Sequence, residues 1–146
     1  MSRDRTRAAV AGLALVAVSA AGAAADHPVA ATLPASFDRA WAAAGRGLLA
    51  EGWTVDLADA PTGTLSTGSR RLQGDAGGIH ARARRVRLTL ELTPAGPDRT
   101  RVSVRRQLFE RERALWVERD RALVSADALG GDHVERRVLD AIRRAL

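Results

Sequence analysis

The chain has 146 residues, a formal net charge of +6 at pH 7 and no cysteine, and all 23 of its basic residues are arginine. The length favours one compact domain, and the lack of cysteine excludes disulfides and a thiol nucleophile. Because clustered arginines bind carboxylates and phosphates, the positive charge favours an anionic partner. Exclusive use of arginine is also typical of a GC-rich genome, so it does not by itself indicate nucleic-acid binding.

The first 25 residues predict a secretory signal peptide. Three arginines within residues 3–7 precede an apolar run over 8–18, which is shorter than the ~20 residues of a transmembrane helix. Ala23-Ala24-Ala25 fits an A-x-A cleavage site, so we expect cleavage after Ala25 and a periplasmic or secreted protein. No transmembrane span is expected after cleavage, and export argues against a nucleic-acid partner. Retention of the segment as a membrane anchor is the alternative.

Residues 26–33 are predicted to form a short tether, and residues 34–146 a single α+β domain that begins with a helix over 37–51. Ser36 suits the N-cap of this helix and Gly52 its end. Gly45 and Gly47 lower the helix propensity, and a glycine there allows close approach to a sheet. The following apolar side chains recur at helical spacing and are expected to be core: Phe37, Trp41, Ala44, Leu48 and Leu49.

Four strands are predicted to follow as an antiparallel meander. They cover residues 53–59, 64–72, 79–92 and 99–109, with a loop over 73–78 and a TPAGPD turn over 93–98. In the third strand the apolar positions change parity near Arg84 and Arg85, which predicts a β-bulge there. The first and fourth strands are expected to turn these side chains inward: Trp53, Val55, Leu57, Val102, Val104 and Leu108.

Two further helices are predicted after the strands. Residues 110–127 are assigned to the first, and residues 132–146 form an amphipathic helix in which Asp132 is the N-cap and Glu135 completes a capping box. Two i,i+4 ion pairs are expected in it, Asp132 with Arg136 and Asp140 with Arg144. The expected architecture is therefore α+β and helix-grip-like, with a helix, a four-stranded antiparallel meander and a C-terminal helix. The first and last helices are expected to pack on one face of the sheet.

The sequence carries no catalytic motif, so we predict a non-enzymatic protein without cofactor or metal. His27, His80 and His133 have no ligand spacing, and no serine lies in a G-x-S-x-G turn. The glycine-containing stretches over 66–69 and 74–78 lack the lysine and helix of a phosphate-binding loop. A hydrolase whose two acids, or whose serine and histidine, meet only in the fold is the minority alternative.

A basic strand face is the candidate binding site. If Thr93 faces Arg99 across the turn, Arg87 lies directly opposite Arg105, and two such arginines repel unless an anion lies between them. The alternative is that long, solvated arginines splay apart and keep the sheet soluble. The face is predicted to comprise Arg82, Arg85, Arg87, Arg101 and Arg105.

The order of elements resembles that of the BamC-like family of outer-membrane assembly accessory proteins. The residues that carry the resemblance are S-F-D-x-A-W at the start of the first helix, G-W-T-V after it, the T-G-T-L-S-T and T-R-V-S-V strands, and the final V-L-D-A-I-R-R-A-L. The likeness implies a non-enzymatic interaction domain of the cell envelope and identifies no functional residues. The chain departs from the family, which consists generally of lipoproteins, in having no lipobox cysteine.

Two functions are therefore considered. The first is an exported binding or assembly-accessory domain of the periplasm or envelope, whose partner is an envelope protein or an anionic ligand. The alternative is a carrier that holds a small apolar or anionic molecule between the sheet and the long helix. A pocket lined by Trp41, Trp53 and Leu90 with one buried arginine would favour the carrier. A closed core with an exposed arginine stripe would favour the partner-binding domain.

Overall fold

A computed structural model describes residues 28–74, 80–123 and 132–146. The described residues form seven strands and two helices, so the α+β class with an antiparallel sheet is confirmed, with seven strands in place of four. The predicted signal peptide lies outside these residues, and none of the described helices is long and apolar enough to span a membrane. The elements are β1 Val29–Leu33, α1 Phe37–Ala50, β2 Val55–Asp59, β3 Thr64–Thr67, β4 Arg70–Gly74, β5 His80–Gly96, β6 Arg99–Ala114, β7 Val117–Ala122 and α2 His133–Arg144.

The β5–β6 hairpin is the centre of the sheet. Its strands of 17 and 16 residues pair in one continuous register from His80 opposite Ala114 to Pro94 opposite Thr100. Both β3 and β4 pair with the outer edge of β5, β2 pairs with β3, and β1 and β7 pair with the outer edge of β6. Thus each long strand pairs along part of its outer edge with two shorter strands. β1 includes Val29–Leu33, residues that the sequence assigned to the tether.

The predicted register of this hairpin is wrong by two residues. Thr93 pairs with Arg101 rather than Arg99, because the strands continue to Pro94 opposite Thr100 and shift only at Gly96, whose φ of +144° suits a glycine. Arg87 therefore lies opposite Gln107, and the directly facing pair of arginines does not form.

The β-bulge predicted at Arg84-Arg85 is also absent from β5, which pairs with β6 without a shift there. The irregularity lies on β4, between Arg71 and Gln73. The apolar positions of β5 change parity because side chains are buried on both faces of the hairpin. Ala81, Ala83 and Phe109 are buried on the face away from the helices. There the guanidinium carbons of Arg87 and Arg111 lie 5.2 and 5.8 Å from the centre of the Phe109 ring.

Residues 110–122 are not helical, contrary to the prediction for 110–127. β6 continues to Ala114, a tight turn at Leu115-Trp116 follows, and β7 returns along β6. The mixed charges that fit no helical face are cross-strand partners, with Arg111 opposite Asp120 and Arg113 opposite Glu118. Residues 124–127 lie outside the described part of the chain.

The core lies between the sheet and the two helices, which pack side by side on one face as predicted. β5 and β6 contribute alternate residues to it, including the predicted Val102, Val104 and Leu108. Leu57, in contrast, is 53% exposed, because β2 shifts register between Val55 and Leu57. The side chains buried most completely in this core are Leu33, Leu48, Leu88, Leu90, Val102, Val104, Val138 and Ile142.

The close approach predicted at the helix glycines is between helices rather than between helix and sheet. A Cβ atom built on Gly47 of α1 would lie 2.7 Å from Ile142 Cγ1 and 2.8 Å from Ile142 N of α2. A Cβ on Gly45 meets nothing within 4 Å. Gly47 therefore sets how closely α1 and α2 pack.

Candidate binding cavity and basic face

A cavity of about 240 Å³ lies between the sheet, α2 and the C-terminal end of α1. Its apolar walls come from β4, β5, α2 and the segment that follows α1, and three arginines reach it from β4, β6 and α2. The lining residues are Glu51, Trp53, Arg70, Leu72, Val86, Arg106, Val134, Arg137 and Val138. The arrangement combines an apolar surface with several cationic groups.

The end of α1 places Trp53 in this cavity. The backbone N–H of Gly52 donates to Leu49 O and that of Trp53 to Leu48 O, both at 2.8 Å, which is the hydrogen-bond pattern of a Schellman motif. Gly52 has a φ of +72°, a conformation that a glycine adopts without a Cβ penalty. The chain therefore reverses at Gly52 and turns Trp53 back under the sheet edge, where it is buried.

Arg70 and Arg137 are held at the cavity by Glu51. The guanidinium carbon of Arg70 lies 3.7 Å from the centre of the Trp53 ring, and its Nη2 donates to the backbone O of Glu51 at 2.8 Å. Arg137 Nη2 donates to Glu51 Oε2 at 2.7 Å, and Arg144 Nη2 lies 3.7 Å from Glu51 Oε1. Glu51 thus orients two lining arginines from one side.

A buried ion pair joins the sheet to α2 beside this cavity. Arg106 Nε lies 3.0 Å from Glu135 Oε1, and the two side chains are only 9% and 6% exposed. Glu135 Oε2 has no hydrogen-bond partner among the described residues. Asp132 is the N-cap as predicted, but Glu135 turns into the core instead of completing a capping box, and Asp140 pairs with Arg143 rather than Arg144.

Sequence reasoning missed Arg106 although a signal for it exists. Val102, Val104 and Leu108 were assigned to the inward face of β6, and strict alternation places Arg106 on that same face. An arginine among inward positions requires an acidic partner, because a buried charge without one is strongly destabilising. Glu135 supplies that partner.

The basic face contains four of its five predicted members. Arg85, Arg87, Arg101 and Arg105 lie at alternating positions on the side of β5 and β6 away from the helices. Arg82 lies on the other side of β5, where its Nε is 3.3 Å from Glu112 Oε1. Arg101 and Arg105 are exposed. Arg85, in contrast, is partly buried and donates to Ser69 Oγ at 2.8 Å and Ser69 O at 2.9 Å.

The β6–β7 hairpin is cross-linked by ion pairs. Arg111 donates to both carboxylate oxygens of Asp120, at 2.7 and 2.8 Å, and this hydrogen bonding lowers the pKa of Asp120 and raises that of Arg111. A hydrogen bond from Arg113 lowers the pKa of Glu118 in the same way. Stabilisation from the two acids is therefore present above their unfolded-state pKa values and is lost as the pH falls through the folded-state values.

The pocket lining that would favour a carrier is present in part. Trp53 and a buried arginine line the cavity, whereas Leu90 is fully buried in the core and Trp41 is partly buried and stacks on Phe37.

Within residues 28–74, 80–123 and 132–146, no three acidic or histidine side chains are grouped as metal ligands would be. No model of a known protein family matches the chain, and no curated protein sequence matches it.

Proposed function

We propose that this protein is a non-enzymatic binding domain whose ligand, a small amphipathic anion, occupies the cavity between the sheet and α2. The observation that supports this function is the convergence of Arg70, Arg106 and Arg137 on an apolar lining that includes Trp53. Glu51 is the one acid among the described lining residues. Such a lining favours a ligand with one anionic end and one apolar end.

The size of the cavity restricts the ligand further. A volume of about 240 Å³ is below the ~300–1,000 Å³ of most small-molecule pockets. A short aliphatic or aromatic carboxylate therefore fits better than a phospholipid. Arg70 and Arg137 also retain donors for it, since each guanidinium carries several N–H groups and one from each is used on Glu51.

The cellular setting is part of the proposal and comes from the sequence. The leader supports cleavage after Ala25 and a periplasmic or secreted location. The BamC-like resemblance supports a helix-grip-like envelope domain without enzymatic activity, and a cavity between sheet and helix is compatible with that architecture. Export also favours a metabolite or envelope component over a nucleic acid as the bound molecule.

Titration with simple carboxylates tests the cavity. We expect hexanoate, octanoate or benzoate to bind, measured by calorimetry and by the change in Trp53 emission, and hexanol to bind more weakly than hexanoate. Arg70→Met removes a charged hydrogen-bond donor that faces the ligand, so the Kd should rise about tenfold. Arg71→Met is the matched control, because Arg71 is the next residue of β4, is exposed and does not line the cavity.

Two outcomes would contradict this function. One is the absence of heat and of any emission change with every carboxylate at millimolar concentration. The other is an equal rise in Kd for Arg70→Met and Arg71→Met, which would show that overall charge, and not the cavity, attracts the anion.

A second candidate function, binding of an acidic partner protein, is supported by the basic face. Arg101 and Arg105 are exposed on it, at positions of β6 that face away from the helices. Such a face attracts an acidic surface and contributes more to association rate than to folding.

The double variant Arg101→Ser/Arg105→Ser should leave stability within about 0.5 kcal/mol of the parent chain, because both side chains are exposed. Its binding to labelled poly-glutamate, followed by fluorescence anisotropy, should weaken. The control Arg136→Ser/Arg143→Ser removes two exposed arginines of α2, on the other side of the sheet. Equal weakening by both double variants would argue against a specific face.

A further inference from the structure

The turn between β6 and β7 presents three apolar side chains to solvent. Leu115, Trp116 and Val117 are consecutive and are 53%, 87% and 50% exposed. Trp116 is the most exposed of the large apolar side chains in the described residues. These three residues, called the apolar tip below, lie at the turn that ends the β6–β7 hairpin.

Folding does not require these residue types at the turn. Leu115 has a φ of +59°, a conformation that asparagine or glycine adopts with less strain and that is typical of two-residue hairpin turns. A polar pair would close the same turn and remain better hydrated. Leucine and tryptophan at this place therefore indicate a role outside the folded chain.

Cationic groups surround the apolar tip. Over residues 80–86 and 110–122, which form this end of β5, β6 and β7, seven arginines stand against four acids. Four ion pairs within this region use the acids: Arg111 with Asp120, Arg113 with Glu118, Arg121 with Glu110, and Arg82 with Glu112. The excess positive charge, with exposed Arg84 and Arg119, is available to an anionic surface.

We propose that the apolar tip inserts into the interfacial region of an anionic lipid bilayer. Trp116 suits this depth because its ring is apolar and its indole N–H can still find a polar partner. The flanking arginines reach the headgroup phosphates while their stems follow the apolar region. Neither the cavity nor its ligand is needed for this interaction.

The shape of the tip favours a lipid surface over a protein partner. A stable protein interface buries about 800 Å² on each side, much more than three side chains at a two-residue turn provide. A few apolar side chains with basic neighbours are enough for reversible binding at a bilayer surface. A second copy of the chain is the alternative that the experiment must separate.

Sedimentation with vesicles tests the proposal on the full chain. We expect binding to vesicles of phosphatidylglycerol and phosphatidylcholine, and weaker binding to phosphatidylcholine alone. Trp116→Ser should lower the partition coefficient about tenfold. Leu57→Ser is the matched control, because Leu57 is as exposed as Leu115 but lies on β2 at the opposite edge of the sheet, and it should leave partitioning unchanged.

Quenching by brominated lipid provides the decisive readout, because the apolar run over residues 8–18 would itself partition into vesicles. Trp53 is buried and Trp41 partly buried, so quenching should come from Trp116 and be lost in Trp116→Phe, which keeps an apolar ring at the turn. Emission that brominated lipid does not quench, or quenching that Trp116→Phe retains, would overturn the proposal. A dimer in sedimentation velocity that Trp116→Ser dissociates would also overturn it, in favour of a second copy.

Discussion

Glu135→Ala is expected to lower the free energy of unfolding by about 3–5 kcal/mol, because it removes the carboxylate from a buried guanidinium. Arg106 and Glu135 are both nearly inaccessible to solvent, so loss of the carboxylate leaves a largely desolvated charge. Urea unfolding followed by circular dichroism measures the change. The Arg106→Met/Glu135→Leu double variant should recover much of the loss, since replacing both charges removes the desolvation cost of the pair.

Asp132→Ala is the matched control for Glu135. Asp132 lies three residues earlier on the same helix and pairs with Arg136, but both side chains are substantially exposed. Its loss should cost no more than about 1 kcal/mol. A similar small cost for Glu135→Ala would contradict a buried pair and indicate that water reaches Arg106.

Gly47→Ala is expected to destabilise the protein by about 1–3 kcal/mol, despite the higher helix propensity of alanine. The new methyl group would meet the backbone nitrogen of Ile142 at 2.8 Å, and backbone cannot rotate away as a flexible side chain can. The two helices would have to separate, which loosens the core contacts of Leu48 and Ile142.

Gly45→Ala, two residues earlier in the same helix, is the control for this effect. Its methyl group meets nothing, so only helix propensity changes and stability should rise by up to ~1 kcal/mol. Opposite signs for the two substitutions in urea unfolding would establish the helix–helix contact at Gly47. A gain in stability from Gly47→Ala would show that the helices are further apart than the structure has them.

Helices α1 and α2, and the face of each central strand apart from the start of β5, could be predicted because both depend on local periodicity. The register error in the β5–β6 hairpin was two residues, and a shift of two preserves which side chains share a face. Arg87, Arg101 and Arg105 therefore stayed on the predicted side even though their partners changed. Arg82 was misplaced because its assignment depended on a bulge that β5 does not contain.

A pocket between sheet and helix that includes Trp53 was considered from the sequence, but the rest of its lining could not be predicted because the residues are distant in sequence. Trp53 comes from the end of α1, Arg70 from β4 and Arg137 from α2, and no spacing between them indicates proximity. The helix prediction for residues 110–122 is wrong for a different reason. The alternating arginines and acids fit no helical face, but they fit a hairpin in which each charged side chain lies opposite one of the other sign. The short strand β1 has too few residues for periodicity to distinguish it from a tether.

The pairing of long central strands with short outer ones has a consequence for association between copies. Much of the long, regular backbone of β5 and β6 lies inside the sheet, and the outer strands give another chain little to pair with. β2 has five residues and a register shift, β1 has five residues beside α2, and β7 carries four charged side chains among six. Short, irregular or charged edges oppose edge-to-edge pairing, so the protein should resist growth into fibrils as long as β1 and β7 stay attached to β6.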